Sequence, residues 1–155
     1  MYVIDASVYV SRLKATEADH ASSKRMLDAL QAQRIPVSCP NLVWPEVTAA
    51  VARGTGDPAL GIAAAVILRR LPFHAYLPVD NRLAATAAEL AARCGLRGAD
   101  AVYVALAQRL NCALVTLDDE QHNRAAGTVT TYSPDEVLNL LPSSTAQGGS
   151  PTRQV

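Results

Sequence analysis

Four carboxylates stand out by type and position: Asp5, Glu46, Asp100 and Asp118. Asp5 follows the apolar run Tyr2-Val3-Ile4, and Asp118 closes Leu114-Val115-Thr116-Leu117-Asp118. Each run reads as a short buried strand. In an open α/β sheet, sites form beyond the carboxyl ends of the strands. Both strands therefore deliver an acid to one edge, each with a hydroxyl two residues away, Ser7 and Thr116. Taken singly, both acids also suit helix capping; Asp118 with Gln121 three residues on is an ordinary capping pattern.

Glu46 is more informative. Its helical neighbours at i−4, i−3, i+3 and i+4 are Leu42, Val43, Ala49 and Ala50. The carboxylate thus lies in an apolar stripe, with no Lys or Arg within one turn. A buried, unpartnered Glu is costly. Two readings stay open: a stripe-edge Glu reaching water, or a Glu facing a cleft. Asp100 follows Gly98-Ala99 and is the one charge on a core-like helix until Arg109. An acid there also suits a helix N-terminus.

Each acid has a bland explanation, but their combination has a poorer one. Four carboxylates in one cleft repel and raise one another's pKa. A divalent cation relieves that cost. Oxygen ligands without a His or Cys cluster favour Mg²⁺, with Mn²⁺ as a substitute, over Zn²⁺. Such ions hold phosphate oxygens and activate water, which is the chemistry of phosphodiester hydrolysis.

The elements that must position these acids follow from periodicity and punctuation. Strands are predicted at Tyr2–Ile4, Ile35–Ser38, Phe73–Pro78, Ala113–Thr116 and Val129–Tyr132. Helices are predicted at His20–Gln33, Asn41–Arg53 closed by Gly54, and from Asp57-Pro58 to about Leu71. Further helices follow at Arg82–Arg93 (capped by Asp80 and ended by Gly95), Asp100–Leu110 and Asp118–Ala126. Ser133-Pro134-Asp135-Glu136 is a capping box opening the last one. Short strands alternating with helices predict an α/β fold with a mainly parallel sheet. One domain is expected over residues 1–141. Residues 142–155, rich in Ser, Gly, Thr and Gln, read as a disordered tail.

Composition narrows the class. The chain has 155 residues, half of them apolar and 18% charged, so wholesale disorder is excluded. Lys+Arg and Asp+Glu both total 14, which excludes a strongly basic nucleic-acid coat. Cys39, Cys94 and Cys112 lack CxxC spacing, against a disulfide framework or a Cys-based zinc site. No signal peptide is read at the N-terminus, and the apolar run Ala59–Leu68 is about half a bilayer span. A cytoplasmic protein without a membrane segment is expected.

In four blocks and in order, the chain resembles the PIN-domain family, and within it the VapC-type ribonuclease toxins. The blocks are Tyr2-Val3-Ile4-Asp5-Ala6-Ser7, Leu42-Val43-Trp44-Pro45-Glu46-Val47, Gly98-Ala99-Asp100-Ala101-Val102-Tyr103-Val104-Ala105-Leu106-Ala107 and Leu114-Val115-Thr116-Leu117-Asp118. The resemblance implies a Rossmann-like α/β/α sandwich with a short sheet. It implies a Mg²⁺-dependent endoribonuclease that cuts single-stranded regions of tRNA or rRNA, leaving a 3′-hydroxyl and a 5′-phosphate. Asp5, Glu46, Asp100 and Asp118 would form the metal site, Asp5 and Asp100 more directly, and Glu46 and Asp118 partly through water. Ser7 and Thr116 would support them. A small VapB-like antitoxin is the implied partner, and a homodimer the implied assembly. Many relatives carry an aromatic residue a few positions after the fourth acid, where this chain has Gln121-His122. Asp119, beside Asp118, is a second candidate for the fourth acid.

Setting the four acids aside leaves 10 acidic residues against 14 basic, a net +4 that favours RNA. Arg12, Lys14, Arg53 and Arg97 lie near the site segments in sequence and are candidate phosphate contacts. Each equally suits solvated surface. The competing functions are a non-catalytic PIN-like module binding RNA or protein, and a housekeeping RNA-processing nuclease. A receiver-type phosphorylation domain expects a late Lys, whereas the only lysines are Lys14 and Lys24. A dinucleotide-binding fold expects a GxGxxG after the first strand, which is absent. The apolar helices Val47–Val51 and Ala59–Leu68 are candidates for a dimer face or an antitoxin groove.

Overall fold

A computed structural model describes residues 1–142. The expected tail lies outside the described residues, apart from Pro142. The chain runs β1 (Tyr2–Ile4), α1 (Ala6–Leu13), α2 (His20–Ala32), β2 (Val37–Pro40), α3 (Val43–Thr55), α4 (Pro58–Leu68) and β3 (His74–Leu77). It continues α5 (Asn81–Cys94), α6 (Gly98–Leu110), β4 (Ala113–Val115), α7 (Asp119–Ala125), β5 (Thr131–Tyr132) and α8 (Pro134–Leu140).

The five strands pair in the order β3-β2-β1-β4-β5. Every pairing is parallel, so all carboxyl ends lie at one edge. From β1 the chain winds outward through β2 to β3, then returns to place β4 on the other side of β1. The direction of winding reverses between β1 and β4, and such a switch point opens a crevice at the carboxyl edge. β1 and β4 run in register there, Ile4 beside Val115. Asp5 and Asp118 leave these two strands.

The core explains why the strands can be so short. Val3, Ile4, Leu114 and Val115 are fully buried, as are Ala101 and Tyr103 to Ala107 of α6. α6 packs across β1, β2 and β4, with α5 beside it. A helix apolar nearly all round belongs in an interior, which is what the bare sequence of α6 implies. α3 and α4 cross closely at Gly61, where a Cβ would lie 2.5 Å from the carbonyl oxygen of Thr48. Asp57, Asp80 and Ser133 cap their helices as expected, and the Ser133–Glu136 box has both of its bonds.

Three details differ from the sequence expectations. α1 was not anticipated: it begins directly after β1, with Asp5 both ending the strand and capping the helix. β2 lies two residues later than expected and takes in Cys39 and Pro40. Pro40 is tolerated because β1 pairs only with Val37 and Ser38, leaving Pro40 opposite Leu77 of β3. α3 ends at Gly56 rather than Gly54, with Gly56 in the left-handed conformation at φ 72°. Among the described residues no helix is long and apolar enough to cross a membrane.

Candidate active site

Asp5 is 7% exposed at the head of α1. Its Oδ2 accepts the Ser7 backbone N–H at 2.8 Å. The Ser7 hydroxyl in turn accepts the Leu117 N–H at 3.1 Å, joining α1 to the loop after β4. Thr116, also buried, accepts the Asp118 N–H at 3.0 Å. The two hydroxyls thus brace the backbone that carries Asp118. Asp118 caps α7 through Oδ1, which accepts the Gln121 N–H at 2.9 Å, so the capping reading is also correct. Its Oδ2 stands 3.4 Å from Arg97 Nη1.

Glu46 and Asp100 sit in the first turns of α3 and α6, where the helix dipole favours acids. Asp5, Glu46 and Asp100 line one open cleft with Ser7, Leu42 and Arg53. The apolar-stripe Glu is therefore cleft-facing. Tyr103, one helical turn beyond Asp100, donates its hydroxyl to Glu46 Oε2 at 2.5 Å. Beneath Asp100, Gln121 is fully buried and donates Nε2 to the Asp100 carbonyl at 3.2 Å. Its own Oε1 is buried and has no partner among the described residues.

The electrostatics tie the acids together. Burial raises the Asp5 carboxyl above its usual range, against the Ser7 and Ala6 bonds, and Asp118 adds to the rise. Burial also raises Glu46, opposed by Tyr103 and reinforced by Asp5 and Asp100. Asp100 is pushed up to about 6, first by burial, then by Asp5 and Asp118, with Arg97 opposing. Each charge thus makes the next harder to ionise.

A hard divalent cation suits this set in both charge and ligand type. The side chains are not drawn together around one point, however. Among the described residues no three Asp, Glu, His or Cys side chains stand close enough to hold an ion. Three of the four acids already carry partners from the protein. Tyr103 holds one Glu46 oxygen, Ser7 holds Asp5, and Gln121 and Arg97 occupy Asp118.

Residues 2–127 match the PIN domain family. The chain belongs to the PIN-domain family. A search of curated proteins finds no match. Solved structures share the PIN fold across nearly their whole length. VapC20 of Mycobacterium tuberculosis, described as a sarcin-ricin loop cleaving toxin, superposes with a TM-score of 0.68 at 24% identity, covering 83% of this chain and 97% of that one. VapBC2 of Rickettsia felis, solved on a DNA fragment from its promoter, gives 0.65 at 14% identity, covering 85% and 97%. A toxin–antitoxin complex from Klebsiella pneumoniae gives 0.61 at 18% identity, covering 86% and 98%.

Within this PIN domain the candidate basic residues part company. Arg53 lines the acidic cleft and, among the described residues, makes no ion pair. Arg97 sits on the rim, bridging Asp118 and Glu120. Arg12 pairs with Asp28 at 3.1 Å and lines a separate apolar pocket with Tyr9, Leu13 and Ile67. Lys14 pairs with Glu17 at 3.1 Å. Asp119 is exposed, and the acid coupled to Asp5 and Asp100 is Asp118. Sequence reasoning missed Tyr103 and gave Gln121 only a capping role. The available signal was a polar-tipped aromatic and a primary amide in otherwise apolar surroundings, since such groups need partners.

Proposed function

We propose that this chain is a divalent-metal-dependent endoribonuclease, the toxin of a toxin–antitoxin pair. The observation that carries the reading is the convergence of Asp5, Glu46 and Asp100 on one cleft beyond the carboxyl end of β1, with Arg53 in its wall. A scaffold with no chemistry to perform has no reason to bear that repulsion. A bound Mg²⁺ or Mn²⁺ would supply charge neutralisation at the scissile phosphate and a more acidic water. Asp5, Glu46 and Asp100 would hold it once drawn closer than the metal-free fold places them, and Asp118 would support it from the β4 side. Arg53 would fix a phosphate oxygen as a bidentate donor. The mutual braces of Ser7, Leu117 and Thr116 would keep the two strand ends at constant separation while the substrate strand passes.

The substrate reading is single-stranded RNA. The cleft is open, and VapC20, with the same fold, is described as a sarcin-ricin loop cleaving toxin. For the partner, α4 presents Leu60, Ile62, Val66 and Ile67 to solvent, each 42–61% exposed. Beside them runs the apolar pocket lined by Tyr9, Leu13, Val47, Ala64, Leu68 and Leu71. Apolar surface of this kind suits an amphipathic antitoxin helix. A second copy of the chain is the alternative occupant.

The test is cleavage of a mixed tRNA and rRNA pool with Mg²⁺, Mn²⁺ or EDTA, using Asp100→Asn as the contamination control. Discrete metal-dependent cuts that vanish in the variant support the nuclease. Cuts that persist in it, or no cuts from antitoxin-free protein, favour a PIN-like binding module. The same assay separates the arginines. Arg53→Ala should raise the RNA KM about tenfold, the worth of one charge-assisted phosphate contact of ~1.5 kcal/mol. Arg12→Ala should leave it unchanged. Equal effects from both would mean that the RNA path runs elsewhere.

A further inference from the structure

We infer that Tyr103 is a positioning residue for Glu46: its hydroxyl commits one carboxylate oxygen to the protein and aims the other at the cleft. The inference rests on the nuclease reading, since it concerns how that site meets its cation.

Tyr103 lies in the most buried stretch of α6 and is wholly inaccessible. The Glu46 bond is the one side-chain hydrogen bond its hydroxyl makes among the described residues. The direction of that bond is fixed by chemistry. The phenol carries an O–H to give, and a carboxylate offers only lone pairs, so the hydroxyl is the donor. Glu46 Oε2 is then the acceptor, and Oε1 is left for the cleft.

The consequence is geometric. A glutamate side chain has three rotatable bonds, and a partly exposed one samples many rotamers. Fastening Oε2 to a side chain that cannot move removes most of that freedom. It leaves Oε1 as the oxygen with no protein donor among the described residues. Ligating carboxylates are commonly fixed in this way by a protein donor behind them. Tyr103 is well placed for the task. It projects from α6 one turn beyond Asp100, so one helix carries an acid of the site and the tether of another. The backbone of α6 thereby sets the relation between α3 and α6 at the cleft. The Gln121 amide adds a second fastening to the same turn, at the Asp100 carbonyl.

A merely structural tyrosine would give the same burial and the same bond, so the test must separate positioning from packing. Tyr103→Phe deletes one oxygen and keeps the ring. The measurements are Mn²⁺ affinity by calorimetry, kcat and KM on a cleaved RNA, and Tm of the metal-free protein. Positioning predicts Mn²⁺ binding weaker by about tenfold, the usual consequence of removing such a partner. It predicts a lower kcat at limiting metal, with the RNA KM unchanged. A structural role alone predicts a changed Tm with both metal affinity and kcat at wild-type values. A double-mutant cycle in Mn²⁺ affinity completes the test. In a Glu46→Ala background the Tyr103→Phe effect should disappear, whereas in an Arg53→Ala background it should persist in full. Wild-type protein that binds Mn²⁺ and cleaves, with Tyr103→Phe within twofold of it, overturns the inference and leaves the nuclease standing. Wild-type protein that neither binds Mn²⁺ nor cleaves overturns both.

Discussion

Replacing Asp100 with asparagine is expected to abolish RNA cleavage while leaving the metal-free protein as stable as before, or more so. The two halves have separate causes. Asparagine keeps the shape but loses the charge that would hold a divalent cation. A cation at a phosphoryl oxygen supplies several kcal/mol of charge stabilisation, and about 4 kcal/mol corresponds to a rate factor of about 10³. Stability moves the other way because Asp100 is half-buried and faces Asp5 and Asp118. Removing one member of a repelling set relieves the others. Asp5→Asn should behave alike, since asparagine also caps helices well and can keep the Ser7 N–H bonded. Cleavage assays and thermal melts of the same preparations check both halves. Either variant cleaving at the wild-type rate would sink the site assignment. A melt lowered by several degrees would show that the carboxylate is structural.

These predictions rest on residues that differ in how openly the sequence announced them. Asp5 and Asp118 were legible as strand-end acids because a strand end is a local pattern: an apolar run, then an acid. Glu46 was legible through conflict, a charge inside an apolar stripe. Asp100 was legible by isolation on a core-like helix. What stayed hidden depends on side chains meeting across the fold. Tyr103 and Glu46 are 57 positions apart and meet only in the folded chain, where α3 and α6 each bring an acid to the same cleft. Arg12 lies five residues after Ser7, which suggested a place at the site, but a turn and a half of helix carries it to Asp28. Among the elements, α1 was hidden because no loop separates it from β1. β2 was shifted because Cys39-Pro40 reads as a strand terminus unless one knows that its β1 neighbour has already ended. The choice between Gly54 and Gly56 as the helix end has no local signature, since both can adopt the left-handed conformation.

The acids of the cleft should take stability from the metal-free protein as pH rises from about 4 to about 7, and a divalent cation should restore it. The sign follows from Asp100, whose carboxyl is pushed up from 3.8 to about 6 in the fold. Between those two values the unfolded chain has released its proton and the folded chain still holds it. Folding therefore takes up a proton, and stability falls as pH rises through that window. Asp5 and Glu46 are raised by the same causes and act in the same direction. Asp100 is half-exposed, so solvent screening cuts its share to about 1–2 kcal/mol. Melting wild type and Asp100→Asn in EDTA at pH 4, 5, 6 and 7 separates this share from that of His74, whose pKa burial lowers and which acts the other way: the wild-type Tm should fall relative to the variant's as pH rises. Mn²⁺ or Mg²⁺ binds the ionised acids, so its stabilisation should grow with pH and oppose the decline. A wild-type Tm that keeps level with the variant's across that range would mean that the acids are compensated by the protein itself. In that event the repulsion that argues for a cation would be absent, and the case for a binding module would strengthen.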